Sequence, residues 1–170
     1  LAMMPGEKLD NYLYQNNGDL SFSKKTSEWG LNDPSFSNGA AYADFDNDGD
    51  LDLLVSNVND PVSLYENNAA KNYVQVELQG PANNILGLGA EVFVITKDKQ
   101  QYQQLYLTRG FQSSISNVLH FGLDDEATID QLKVQWPDGK VSSVTQPANN
   151  KKHQISYASA TNEQLALRNN

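Results

Sequence analysis

Val74-Gln75-Val76-Glu77-Leu78 places an apolar side chain at every second position and a polar one between each pair. A period of two is that of a strand with one face in a core and one in water. Downstream, Val92–Ile95 is a continuous apolar run after Gly89-Ala90, which predicts a strand buried on both faces. In Ile129–Trp136 the alternation returns, with Leu132, Val134 and Trp136 on one side and Lys133 and Gln135 on the other. Pro137-Asp138-Gly139 supplies a turn and Val141–Thr145 a return strand. Gln104–Leu107, Val118–Phe121 and Gln154–Tyr157 complete this series. Upstream, Tyr12–Gln15 and Leu20–Ser23 flank Asn16-Asn17-Gly18-Asp19, the signature of a hairpin. Gly39–Phe45, Leu51–Ser56 and Ser63–Glu66 are three more strands, each bounded by turn residues. The chain is therefore expected to be all-β. Its polar end, 158–170, is read as a short helix opened by Thr161 or as a disordered tail.

The length, 170 residues, suits one ordinary domain or two small ones. With no cysteine, disulfide scaffolds, thiolate zinc sites and thiol catalysis are excluded. No apolar stretch is long enough to span a bilayer as a helix. Because the chain opens on Leu1, it is expected to be a piece of a longer or processed protein. Charge is unevenly placed. Residues 1–70 hold 12 acids and 3 bases, whereas 71–170 hold 9 of each, so the whole excess of −9 lies in the first segment. That shift sets a boundary near Ala69–Asn72 and divides the chain into 9–70, 71–157 and a tail, 158–170. An acidic chain is a poor polyphosphate binder, since affinity for nucleic acid comes mostly from Lys and Arg.

Five of the acids fall in Asp44-Phe45-Asp46-Asn47-Asp48-Gly49-Asp50-Leu51-Asp52. Alternate residues of a tight loop converge on one point, and Gly49 permits the sharp turn. Two carboxylates ~5 Å apart repel by roughly 3 kcal/mol at an effective dielectric near 20. Several of them converging call for a cation. Hard oxygen donors in a flexible loop suit calcium better than magnesium. The expected ligands are the side chains of Asp44, Asp46, Asp48 and Asp52 and the backbone carbonyl of Asp50. An EF-hand is excluded, because its twelfth position needs a bidentate Glu and here holds Val55, and because the flanks read as strands, not helices.

Asn11-Tyr12-Leu13-Tyr14-Gln15-Asn16-Asn17-Gly18-Asp19-Leu20-Ser21-Phe22, followed by the aspartate loop and Leu53-Leu54-Val55, resembles an FG-GAP/VCBS-type repeat. Such repeats are β-propeller blades that bind calcium in a loop between two strands. The second segment resembles the ASPIC/UnbV domain, which often follows such repeats in secreted or surface proteins. The resemblance rests on Gly89-Ala90-Glu91-Val92, Arg109-Gly110-Phe111-Gln112-Ser113, His120-Phe121-Gly122-Leu123 and Trp136-Pro137-Asp138-Gly139. Together the two cover roughly Leu9 to Tyr157. They imply a partial propeller-blade-like repeat packed on a β-sandwich-like domain, with the rest of the propeller elsewhere in a parent protein. They also imply an extracellular, cell-surface or periplasmic setting, where calcium is plentiful.

The function expected on these grounds is a non-catalytic, calcium-stabilised binding or adhesion module for a protein or a glycan. A second reading is a carbohydrate-binding accessory of a larger surface enzyme or uptake system. Tyr102 and Tyr106, with Gln104 between them, are the candidates for stacking on a sugar, and Arg109 for anchoring an anion or capping a loop. A third reading, RNA binding, comes from the ASPIC/UnbV family label alone. The clustered bases, Lys97, Lys99, Lys151 and Lys152, form no recognisable RNA module, so nucleic acid is not an expected partner. For catalysis, Ser113 and Ser114 lie near His120 in sequence without a nucleophile elbow. His120 and His153 lack metal-ligand spacing, and Asp124, Asp125 and Glu126 read as a solvated acidic turn.

Overall fold

The computed structural model describes residues 6–125, 128–163 and 165, so Glu126 and part of the tail lie outside the described residues. The chain is all-β and contains no α-helix among them. In the first segment, β1 (Tyr14–Asn16) and β2 (Phe22–Lys24) form an antiparallel pair with Asn16 opposite Phe22. Its turn is held by Asn17, whose amide donates to the hydroxyls of Ser21 and Ser23. β3 (Ser37–Ala43), β4 (Asp52–Asn57) and β5 (Ser63–Tyr65) form a three-stranded antiparallel sheet with β4 in the centre. The β3–β4 ladder ends at Ala43 opposite Asp52. Strands read to Phe45 and from Leu51 are thus trimmed, because the residues between belong to the aspartate loop. Leu31 and Val55 are the buried apolar residues of this segment among the described residues. Tyr12, Tyr14, Phe22, Trp29 and Leu64 stay exposed.

The second segment is a sandwich. β6 (Asn72–Gln79), β9 (Val118–Asp124) and β12 (Lys151–Ser156) make one sheet in the order β12-β6-β9. β7 (Glu91–Ile95), β8 (Gln100–Gln104), β10 (Gln131–Gln135) and β11 (Val141–Thr145) make the other, β11-β10-β7-β8. All pairs are antiparallel except β12 with β6. Alternation decides which faces meet. Val74, Val76 and Leu78 from β6 and Leu119, Phe121 and Leu123 from β9 pack against Val92 and Val94 from β7 and Leu132 and Val134 from β10. Trp136 is buried with them, donating from Nε1 to Ser142 Oγ at 3.0 Å and meeting the Tyr157 ring edge-on at 5.4 Å. As its unbroken apolar run predicts, β7 is buried on both faces from Val92 to Ile95. Lys133 leaves the core side as expected but is buried too, its position paired with Phe93 across the ladder, so its aliphatic stem serves as cover.

The strand expected at Gln104–Leu107 lies instead at Gln100–Gln104. Four of its five residues are glutamine, so it carries no apolar period. Its stability comes from amides: Gln101 Nε2 donates to the Gly122 carbonyl at 2.7 Å and Gln103 Nε2 to the His120 carbonyl at 2.5 Å. These bonds join β8 and β9, which each lie at an edge of their own sheet, and blunt edges that would otherwise be open to pairing. Removing one leaves a part-buried carbonyl unpaired. Gln103→Ala is expected to cost about 1–2 kcal/mol in denaturant unfolding, with an unchanged m-value. On the opposite side Ser142, Ser156 and Ser159 link β11 to the end of β12. Beyond β12, Tyr157–Ser159 form one 3-10 turn capped by Ser156. Thr161 forms a bridge with Val141 rather than opening a helix. The rest of the expected tail helix, at 164 and 166–170, lies outside the described residues.

Candidate functional site

The aspartate loop spans the gap between β3 and β4 and is shaped by its own side chains. Asp46 Oδ1 accepts from the Asp48 N–H, and Asp48 Oδ1 from the Asp50 N–H. Asn47 and Gly49 take positive φ, +63° and +97°. This winding brings one carboxylate oxygen each from Asp44, Asp46 and Asp48 within 4.8 Å of one another. Asp50 and Asp52 are placed differently. Asp52 Oδ2 accepts from the Phe45 N–H and Oδ1 from the Asn67 N–H, both at 2.9 Å, while Asp50 Oδ2 accepts from the Ala69 N–H at 2.8 Å. These two buried carboxylates bind the connection between the segments onto the loop.

Two oxygens are left over. Asp44 Oδ1 and Asp50 Oδ1 are buried and have no hydrogen-bond partner. An unpaired buried carboxylate oxygen is costly, and a hard cation held by Asp44, Asp46 and Asp48 would satisfy the Asp44 oxygen and the mutual repulsion, whereas the Asp50 carboxylate stands outside that converging group. Burial pushes the Asp50 carboxyl above its ordinary range. The Ala69 N–H opposes that rise, and the charges on Asp48, Asp52 and Asp46 add to it. The residues present therefore fit a calcium ion by donor chemistry.

The loop rests on the outer face of the β12-β6-β9 sheet, the face that alternation leaves to Tyr73, Gln75 and His120. Gln75 Nε2 donates to Asp44 Oδ2 at 2.9 Å. The Tyr73 ring stacks on His120 at 5.5 Å and lies where a Cβ on Gly49 would stand. His120 Nδ1 is buried and unpartnered, and burial pushes the imidazole pKa down against the pull of Asp44. His153 Nε2 sits 2.7 Å from the Ala148 carbonyl. A second contact joins the segments farther along, where Ser113 and the Phe111 carbonyl lie over Gly39 of β3.

Between these two contacts lies an open cleft of about 560 Å³. Tyr102, Tyr106 and Arg109 all line it, together with Tyr42 and Leu51 from the first segment and His120. Tyr102 is on β8, whereas Tyr106 follows the strand. Tyr102 is fixed by packing on Phe93 at 5.2 Å and by donating its hydroxyl to Glu91 at 3.2 Å. Partial burial, then that bond, raises its phenol pKa. Arg109 extends from a narrow hairpin in which its N–H donates to the Ser113 carbonyl. Its guanidinium caps no carbonyl and meets no carboxylate among the described residues. Tyr42 escaped the sequence reading because nothing local marks it, and His120 was weighed there for catalysis and metal binding but not for this cleft. The available signal was the polar outer face of β6 and β9, where Gln75 pairs with His120.

Residues 5–55 match the family model of the FG-GAP-like repeat and residues 80–162 that of ASPIC and UnbV, in the order the sequence motifs indicate. Cartilage acidic protein 1 of Xenopus tropicalis is 33% identical over 110 residues, which cover 61% of this chain and 16% of that protein. The Mus musculus protein of the same name is 32% identical over 112 residues, 62% of this chain and 17% of its own length. The Homo sapiens protein gives 32% over 112 residues. The chain thus spans about one sixth of the length of the curated relatives it matches.

Proposed function

From an FG-GAP-like repeat running into an ASPIC and UnbV domain, we propose a non-catalytic, calcium-stabilised binding module that recognises a protein or a glycan outside the cytoplasm. The observation that carries the calcium is the orphan oxygen on Asp44 beside the converging carboxylates of Asp46 and Asp48. Asp44, Asp46 and Asp48 would hold the ion with the backbone carbonyl of Asp50 completing the set, while Asp52 shapes the loop through Phe45 and Asn67. Bound calcium supplies charge neutralisation, and the chain's residues do the rest. Asp44 is tied to Gln75, and Asp50 to Ala69, so an ordered loop also holds the two segments together. The segments divide at 9–70 and 71–157, followed by the tail.

Millimolar calcium outside the cell keeps even a weak site loaded, which supports an extracellular, cell-surface or periplasmic location. The exposed Tyr12, Tyr14, Phe22, Trp29 and Leu64 give the first segment faces that a neighbouring propeller blade would cover. The small share of the relatives' length that the chain spans agrees with a larger parent. The second reading, a carbohydrate-binding accessory, is favoured by the aromatic cleft.

Thermal melting in calcium, in magnesium and in chelator tests the proposal. At a calcium concentration about a hundredfold above Kd the stabilisation is about 2.7 kcal/mol, or a rise of roughly 5–10 °C for a chain of this size. Asp46→Ala is expected to remove that rise while leaving the melting temperature in chelator nearly unchanged. Equal melting temperatures in all three conditions would overturn the calcium assignment.

A further inference from the structure

We propose that the cleft between the two segments binds a carboxylate-bearing oligosaccharide, a sugar chain with uronic-acid units, as the ligand of the binding module inferred above; the proposal rests on that reading. Arg109 is the first argument. In a chain with a net charge of −9, this guanidinium lines a cleft and has neither an ion-pair nor a hydrogen-bond partner among the described residues. Its planar fork fits a carboxylate in a bidentate pair. The second argument is aromatic. Tyr42, Tyr102 and Tyr106 are 40%, 51% and 50% exposed around the same space. Rigid, half-exposed phenol rings present an apolar face with a polar tip, the character that the faces and hydroxyls of a pyranose match. The third is His120, whose ring forms part of the cleft wall and adds a planar face to it.

The rest of the lining agrees. It includes Gln103 and Gln104 and no carboxylate among the described residues, the Glu91 carboxylate standing behind the Tyr102 hydroxyl that it accepts from. For the same reason the cleft lacks the paired acids of glycoside hydrolysis and suits retention, not cleavage. Leu51, a member of the aspartate loop, lines the cleft, and Asp44 acts electrostatically on His120.

The test is calorimetric titration of the whole chain, in calcium, with xylotetraose carrying one glucuronic acid and with unsubstituted xylotetraose. The acidic sugar is expected to bind at least tenfold more tightly. Arg109→Gln should remove that preference and leave the weak neutral binding, whereas Tyr106→Ala should weaken both. Both side chains are exposed, and an unchanged calcium-dependent melting temperature would show that the variants fold. Equal affinity for the two sugars, no binding of either, or an acidic preference that survives Arg109→Gln would overturn the proposal. So would displacement of the acidic sugar by equimolar inorganic phosphate, which would mark a general anion site. A calcium-dependent rise in melting temperature without sugar binding sinks this inference alone. Sugar binding without any calcium effect sinks the calcium reading alone.

Discussion

Gly49→Ala is expected to destabilise the chain by about 3–5 kcal/mol, combining a left-handed backbone unsuited to alanine with a side-chain collision. Gly49 has φ +97°, and a Cβ there would collide with the Tyr73 ring. The ring cannot simply retreat, since it stacks on His120. Gly18→Ala separates the two causes. Gly18 also has a positive φ, +83°, but nothing lies within 4 Å of its Cβ position. Its substitution should cost only about 1 kcal/mol. The excess at Gly49 then measures the contact with Tyr73, and a double-mutant cycle with Tyr73→Ala should recover part of it. Equal losses at the two glycines in urea unfolding would show that the loop does not bear on the second segment.

A fragment of residues 71–163 is expected to fold alone, and 6–70 to remain unfolded alone. The continuous core, from Val74 to Ile155, is drawn wholly from the second segment. Both of its sheets are complete within that range, including the pairing of β12 with β6. The first segment contributes Leu31 and Val55 as buried apolar residues and leaves several aromatics in water. Burying so little apolar surface cannot offset a conformational entropy of about 1–2 kcal/mol per residue. Dispersed amide resonances for 71–163 and collapsed ones for 6–70 would bear this out. An unfolded 71–163 would mean that contacts such as Tyr73 on Gly49 complete its core.

Period-two alternation made β6 and β10 legible, and an unbroken apolar run made β7 so, because burial alone decides those strands. β8 was displaced in the reading because glutamine amides, bonded to the carbonyls of Gly122 and His120, hold it in place of apolar contacts. No local pattern reports a partner about twenty residues away. The aspartate spacing announced a loop that gathers carboxylates. Which oxygens face one another is decided by Asn67 and Ala69, whose N–H groups engage Asp52 and Asp50 from outside the motif. Tyr102, Tyr106 and Arg109 stood out because they are close in sequence. Tyr42 and His120 join them only through packing of one segment on the other.

The parallel course of β12 beside β6 has a mechanical consequence. Asn72 begins β6 and Ser156 ends β12, and because Lys151 pairs with Val74 and Ser156 with Gln79, those two points lie at opposite ends of one ladder. A pull exerted through the two ends of the sandwich therefore slides the strands lengthwise past each other. The ladder bonds carry that load side by side, as in a lap joint, and must give way together instead of peeling open one at a time. For a module tethered on one side and gripping a partner on the other, the segment that would bear the strain is the one whose geometry resists rupture.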